Sequence, residues 1–242
     1  MSRLVVALEP DEDSLSLVEG YARLAAELRR ELVALLLEDP GFGHAMALPF
    51  ARLQPRMGGE ATQGPVGARH ALKVLRTRIE SRMADVGRRL EVRWQVGVAV
   101  SLPQPAQGDI LVLGMRRPPE LPPAACPVVL QRRTGRAVVV LYEGTPETLT
   151  LGAAVARRER LPVAVLTWAA DAATAERFAM EAAALFGAER VTALVDGGSA
   201  APGGPLARLT ALRPRAVVVD ACNASVRLGA VMAALGKPAV AA

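Results

Sequence analysis

Aromatic residues are scarce in this chain, at 3% of its 242 residues. A core must then be assembled from valine, leucine and alanine. A row of ring platforms for single-stranded nucleic acid has little to be built from. Cysteine is rarer still. Cys126 and Cys222 stand far apart with no CxxC or Cys/His spacing, which argues against a disulfide framework and a structural zinc site. Both read as reduced, buried small residues of a cytosolic protein. The two histidines, His44 and His70, have no carboxylate or nucleophile at a telling spacing and read as surface or loop residues. No apolar run approaches the roughly 20 residues that span a bilayer. The opening MSRLVVALEPDED has too short an apolar stretch for a signal peptide. A cytoplasmic location without a membrane partner is expected.

What is present suits a packed core: hydrophobic residues make up 51% and charged ones 22%. The net charge of +5 is concentrated in one place. Segment 69–93 carries Arg69, Lys73, Arg76, Arg78, Arg82, Arg88, Arg89 and Arg93 against Glu80, Asp85 and Glu91, an excess of five. Such a face suits an anionic partner, or is simply the solvated side of a helix. With no aromatics between the arginines, nucleic acid is not the expected partner. Arg69, Lys73, Arg76 and Arg82 are the candidate interaction surface, for a protein partner or for self-association.

Strand-like and helix-like runs alternate along most of the chain. In the second half, strands are expected over 137–142, 161–168, 190–195, 216–220 and 237–241. Helices are expected over 145–158 (opening with the cap pair Thr145-Pro146), 172–186 (after Asp171), 205–212 and 225–235. The first half starts the same way: strand 4–8, helix 13–30, strand 32–37, an irregular insertion over about 39–68, helix 70–89 and strand 91–100. After that no helix fits. SLPQPAQG alone separates the third strand from the fourth at Ile110–Leu113, and a proline-rich stretch separates that from Pro127–Leu130. This rhythm predicts an α/β protein with parallel, Rossmann-like sheets. It reads as two tandem copies, 1–133 and 136–242, the first lacking its last two helices.

Several short motifs carry a family resemblance. LYEGTPETLTLGAAVARRERLPVAVLTW, with Glu143-Gly144-Thr145-Pro146 at its turn, resembles the opening unit of the universal stress protein family, where the strand ends in Asp-Gly-Ser-Pro. LVVALEPDEDSLSLVEGYARLAAELRRELVALLLED fits the same unit, with Glu9 at the Asp. Cys126-Pro127-Val128-Val129 is similar to the CPV that opens the family's final strand, and Lys237-Pro238-Ala239-Val240 is a weaker counterpart. The resemblance implies strand order 3-2-1-4-5 in each copy, and in some members adenine nucleotide binding. Those members follow the fourth strand with Gly, two residues, Gly, nine residues, then Gly-Ser or Gly-Thr. The glycines let the backbone approach phosphate, and the next helix start offers free N–H groups. Here Gly114 is followed by Arg116, Arg117 and prolines, and Asp220 replaces the first glycine in DACNASVRLG. An aspartate there repels phosphate, so both nucleotide motifs are degenerate.

Arg116 and Arg117 could still hold an anion by side chain, and Glu143, Gly144, Thr145 and Gly114 are the remaining ligand-binding candidates. The glycine-rich DGGSAAPGGP (196–205) reads first as a mobile connection. Asp11, Glu12 and Asp13 suit a helix start, with a weak magnesium site as the minor alternative. No GxSxG, GxxxxGK[ST] or strand-linked GxGxxG occurs, so neither catalysis nor a resident cofactor is expected. The function implied is a non-catalytic binding, regulatory or scaffold protein of stress adaptation, expected as a dimer and acting through interfaces. The alternative is an ATP or AMP sensor using the second copy, and a nucleotide hydrolase comes third.

Two packing expectations follow. The strands LVVAL and ILVL are apolar on both faces and should be buried on both. The strand VRWQVGVAV alternates, with Val92, Trp94, Val96 and Val98 inward, as an edge strand does. A face without helices needs cover from the insertion, the second half or another subunit.

Overall fold

The computed structural model describes residues 2–8, 13–37, 64–114, 126–132, 134–195, 205–220 and 225–236. They fall into two compact units, one of Val5–Pro103 and one of Ser2–Leu4 with Gln104–Ala242. Both are α/β.

The first unit holds β1 (Arg3–Leu8, whose first residues belong to the second unit), α1 (Asp13–Glu27), β2 (Glu31–Leu37), α2 (Gly64–Leu90) and β3 (Trp94–Ala99). Its strands lie in the order β3-β2-β1, with β2 and β3 parallel from Leu32↔Trp94 to Leu37↔Ala99. Periodicity explains the helices. Val18, Tyr21, Ala22 and Ala25 of α1 and Ile79, Met83 and Val86 of α2 recur at helical spacing and are buried. Glu19 of α1 receives Arg82 of α2 at 2.7 Å, with Arg23 at 3.3 Å and Arg89 at 3.9 Å. The hydrogen bond from Arg82 outweighs the opposing effect of burial and holds the Glu19 carboxyl below its ordinary pKa.

The second unit holds β4 (Ile110–Gly114), β5 (Pro127–Gln131), β6 (Ala137–Tyr142), α3 (Pro146–Glu159), β7 (Val163–Ala169), α4 (Ala172–Phe186), a 3-10 turn (Ala188–Arg190), β8 (Val191–Val195), α5 (Pro205–Ala211), β9 (Pro214–Asp220) and α6 (Ser225–Gly236). Its strand order is β4-β5-β9-β6-β7-β8. All neighbours are parallel except β5 and β9, which run antiparallel from Pro127↔Asp220 to Gln131↔Ala216.

That pairing corrects the expected fold class. The second half does not form a separate sheet ordered 3-2-1-4-5. The fifth-strand place beside β9 is taken by β5, from the first half of the chain. Ala216–Val219 of β9 and Val128–Leu130 of β5 are all buried, so each supplies the other with an apolar, hydrogen-bonding edge. The last expected strand, 237–241, lies outside the described residues. So do Glu9, Asp11, Glu12, residues 39–63 of the insertion (with His44), the proline-rich stretch with Arg116 and Arg117, Cys222 and the 196–204 loop.

The buried-strand expectation holds. Val5–Leu8 and Ile110–Leu113 are buried within the single chain, so no second chain is needed to cover them. No helix forms over 100–109, as the short link required. β3 lies at the edge of the first unit's order, but the inward set fails at its end. Val92 is buried and Trp94 and Val96 are half-buried, but Val98 is 40% exposed.

Candidate functional site

The second unit reverses its strand order between β6 and β9: from β6 the chain crosses to β7 and β8, then returns to β9 on the other side. In open α/β sheets the crevice at the carboxyl ends of such a strand pair is where ligands bind. The residues there are Tyr142 at the end of β6, Glu143, Gly144 and Thr145 after it, and Asp220 at the end of β9.

Thr145 is the N-cap of α3, as its Thr-Pro pair predicted, with extended backbone (φ −96°, ψ 105°) and Pro146 following. Its hydroxyl does not cap the helix. It donates instead to the Asp220 carboxylate, tying the β6 turn to the end of β9. Asp220 itself is buried. A carboxylate sits where a phosphate-binding loop would place glycine, and the hydroxyl beside it is committed to that carboxylate.

Gly144 has φ +102°, a left-handed conformation suited to glycine. A Cβ there would stand 2.8 Å from the Phe178 ring of α4. Phe178 meets Tyr142 edge-on with centroids 5.4 Å apart, and the Arg177 guanidinium lies 5.2 Å from its centroid. The fully buried Tyr142 donates its hydroxyl to Glu181 at 2.6 Å. Burial, reinforced by the neighbouring Glu181 carboxylate, pushes the Tyr142 phenol well above its usual range. The turn is thus backed by an aromatic pair and a phenol–carboxylate bond.

The sequence candidates separate. Glu143, Gly144 and Thr145 stand together at this turn. Gly114 ends β4 opposite Gln131 and is half-buried. On α2, Lys73 is exposed, Arg76 pairs with Glu80 at 2.7 Å and Arg82 with Glu19. Arg69 lies on the same helix, its side chain outside the described residues. Two of the supposed contact arginines are therefore already engaged within the unit. Phe178 and Glu181 were not singled out from the sequence. Their signal was faint: an i, i+3 pair on one face of the helix that follows β7.

An open groove of about 450 Å³, lined by Leu166, Thr192, Ala207, Arg208, Ala211 and Leu212, lies elsewhere, beside β7, β8 and α5. Among the described residues, no three or more His, Cys, Asp or Glu gather to hold a metal ion. No described helix is long and apolar enough to cross a membrane.

No family model and no curated protein matches the chain. Solved structures resemble it distantly. The cytoplasmic domain of a prokaryotic cation chloride cotransporter covers 96% of this chain and 98% of its own, at 12% identity and a TM-score of 0.42. A universal stress protein from Archaeoglobus fulgidus DSM 4304 covers 78% of this chain and 74% of its own, at 12% identity and a TM-score of 0.32.

Proposed function

We propose that the chain is a non-catalytic, universal-stress-protein-like binding or regulatory protein that acts through protein interfaces in stress adaptation and takes no adenine nucleotide. One observation carries the nucleotide part of this reading: the Thr145 hydroxyl bonded to the buried Asp220 carboxylate at the strand-order reversal. A phosphate entering there would face a fixed negative charge in a poorly solvated place, where repulsion is strong. It would also meet a hydroxyl already committed as a donor.

The test is native mass spectrometry of the full chain, freshly purified and again after adding magnesium-ATP or AMP. Unliganded protein in every sample is the expected result. Stoichiometric nucleotide that survives buffer exchange, and is lost in Thr145→Ala, would overturn the proposal in favour of an adenine-nucleotide sensor.

A further inference from the structure

The turns at the amino ends of β6, β7 and β9 carry an excess of positive charge. Arg136 precedes β6, and Arg213 and Arg215 stand either side of Pro214, the first residue of β9. Arg157, Arg158 and Arg160 stand where α3 ends, just before β7. β5 runs antiparallel to β9, so its carboxyl end, followed by Arg132, reaches the same rim. Among the described residues of these turns, seven arginines stand against one acid, Glu159, an excess of six. That exceeds the excess of segment 69–93, yet no single stretch of sequence shows it, because three separate turns assemble it.

Backbone bonds draw the turns together. The Arg132 amide donates to the Arg215 carbonyl at 2.8 Å, and the Arg136 amide to the Arg213 carbonyl at 2.9 Å. The Val138 amide donates to the Pro162 carbonyl at 2.9 Å, which sets the turn of Arg160 beside the start of β6. β5, β9, β6 and β7 are adjacent in that order, so the rim crosses three strand spacings, about 15 Å. Glu159 is already engaged: Arg158 lies 3.2 Å from it, Arg215 3.3 Å, and Gln131 donates to it at 3.4 Å. Among the described residues no acidic side chain pairs with Arg132, Arg136, Arg160 or Arg213, and the last three are exposed. Arg160 and Arg213 have φ +55° and +46°, where glycine serves the backbone best, so the local fold does not call for arginine at either. Like charges on neighbouring strands repel, and a bound anion would relieve them.

We propose that this rim docks an extended acidic segment of a partner protein, its carboxylates received by Arg132, Arg136, Arg160 and Arg213. The inference rests on the reading of a protein that acts through interfaces. About five residues of extended chain span the rim. Guanidinium forks match carboxylates, and arginine clusters are a general means of reading acidic motifs. Nucleic acid fits less well: these turns hold no aromatic ring to stack a base and present no helix to a groove. Free phosphate also fits less well, since α3 brings its carbonyl end here and not the amide end that phosphate sites use.

Fluorescence anisotropy of a fluorescein-labelled decapeptide of alternating glutamate and serine, titrated with the full chain, tests the proposal. Binding is expected at low salt and should weaken as salt rises. Arg136→Gln with Arg160→Gly and Arg213→Gly removes three charges while suiting the left-handed backbone. Its circular dichroism should be unchanged and its affinity about tenfold lower or more. Arg29→Gly with Arg78→Gln and Arg88→Gln removes as many charges from the first unit and should leave affinity within about twofold. No binding by the wild type, or an equal loss in the two triple variants, overturns the inference. Displacement of the peptide at lower concentration by inorganic polyphosphate or duplex DNA matched to it in charge overturns the choice of partner. The β6 turn lies at the opposite ends of these strands, so nucleotide uptake there and peptide binding here succeed or fail separately.

Discussion

At the residue scale, a few side chains hold the second unit's ends together. Asp109 is fully buried and receives the Arg3 guanidinium at 2.5 Å and the Arg3 and Ala106 amides at 2.9 Å. Burial works to raise its pKa, but these hydrogen bonds outweigh it and hold the carboxyl below its ordinary value. A depressed folded-state pKa contributes stability that is complete above the unfolded value, near 4, and is lost as pH falls through the folded value. Asp109→Asn should therefore unfold more easily in urea at pH 7 and show a flatter loss of stability below pH ~4. The cost at neutral pH should be about 2–3 kcal/mol, less than for a fully sealed pair because Arg3 is one-third exposed. Tyr142 works in the opposite direction. Its raised pKa keeps a contribution in place below about pH 10 and loses it as pH rises. Ultraviolet titration should show Tyr142 resisting ionisation above pH ~10, and Tyr142→Phe should remove its share of that delayed absorbance change.

At the element scale, helix and strand positions were legible wherever one face was apolar. Helix α4 was anticipated from 172 to 186, after Asp171, and the Asp171 carboxylate caps it by accepting the Thr174 amide at 2.9 Å. The α3 start was also legible, but not the use of its cap hydroxyl. Thr145 bonds Asp220, 75 residues away, and no local pattern encodes that partner. Close approach is equally invisible in the sequence. A Cβ on Gly152 of α3 would fall 2.2 Å from Val140 Cγ2 of β6. Gly152→Ala should gain about 1 kcal/mol of helix propensity yet lose about 1–3 kcal/mol to overpacking. A melting temperature at or below wild type is expected; a clear rise would show that α3 can stand farther from β6.

At the scale of the whole molecule, the pairing of β5 with β9 joins strands from both proposed copies within the second unit. The second half alone, residues 136–242, would leave the β9 edge of Ala216–Val219 unpaired and apolar. Expressed by itself it should aggregate, whereas residues 104–242, which retain β4 and β5, should do so less. Size-exclusion chromatography checks both, and a soluble, monodisperse 136–242 fragment with native circular dichroism would count against β5 as a required partner. The charge excess around α2 belongs to the same scale. Arg82 and Arg89 converge on Glu19, so part of that charge fastens α1 to α2 instead of awaiting a partner.

The sequence alone determined the alternation of strands and helices, the absence of a helix between β3 and β4, the double-sided burial of β1 and β4, and the poverty of the nucleotide motifs. Each depends on nearest-neighbour chemistry: periodicity, proline placement, and glycine present or missing within a few positions. Only the tertiary structure decided which strand lies beside β9, what the Thr145 hydroxyl touches, and that Phe178 closes over Gly144. These contacts join residues 34 to 93 positions apart. Several apolar edges and several donors were chemically equivalent candidates for each. The choice among them was made by which packing buries the valine-rich strands, a condition of the whole chain and not of any segment.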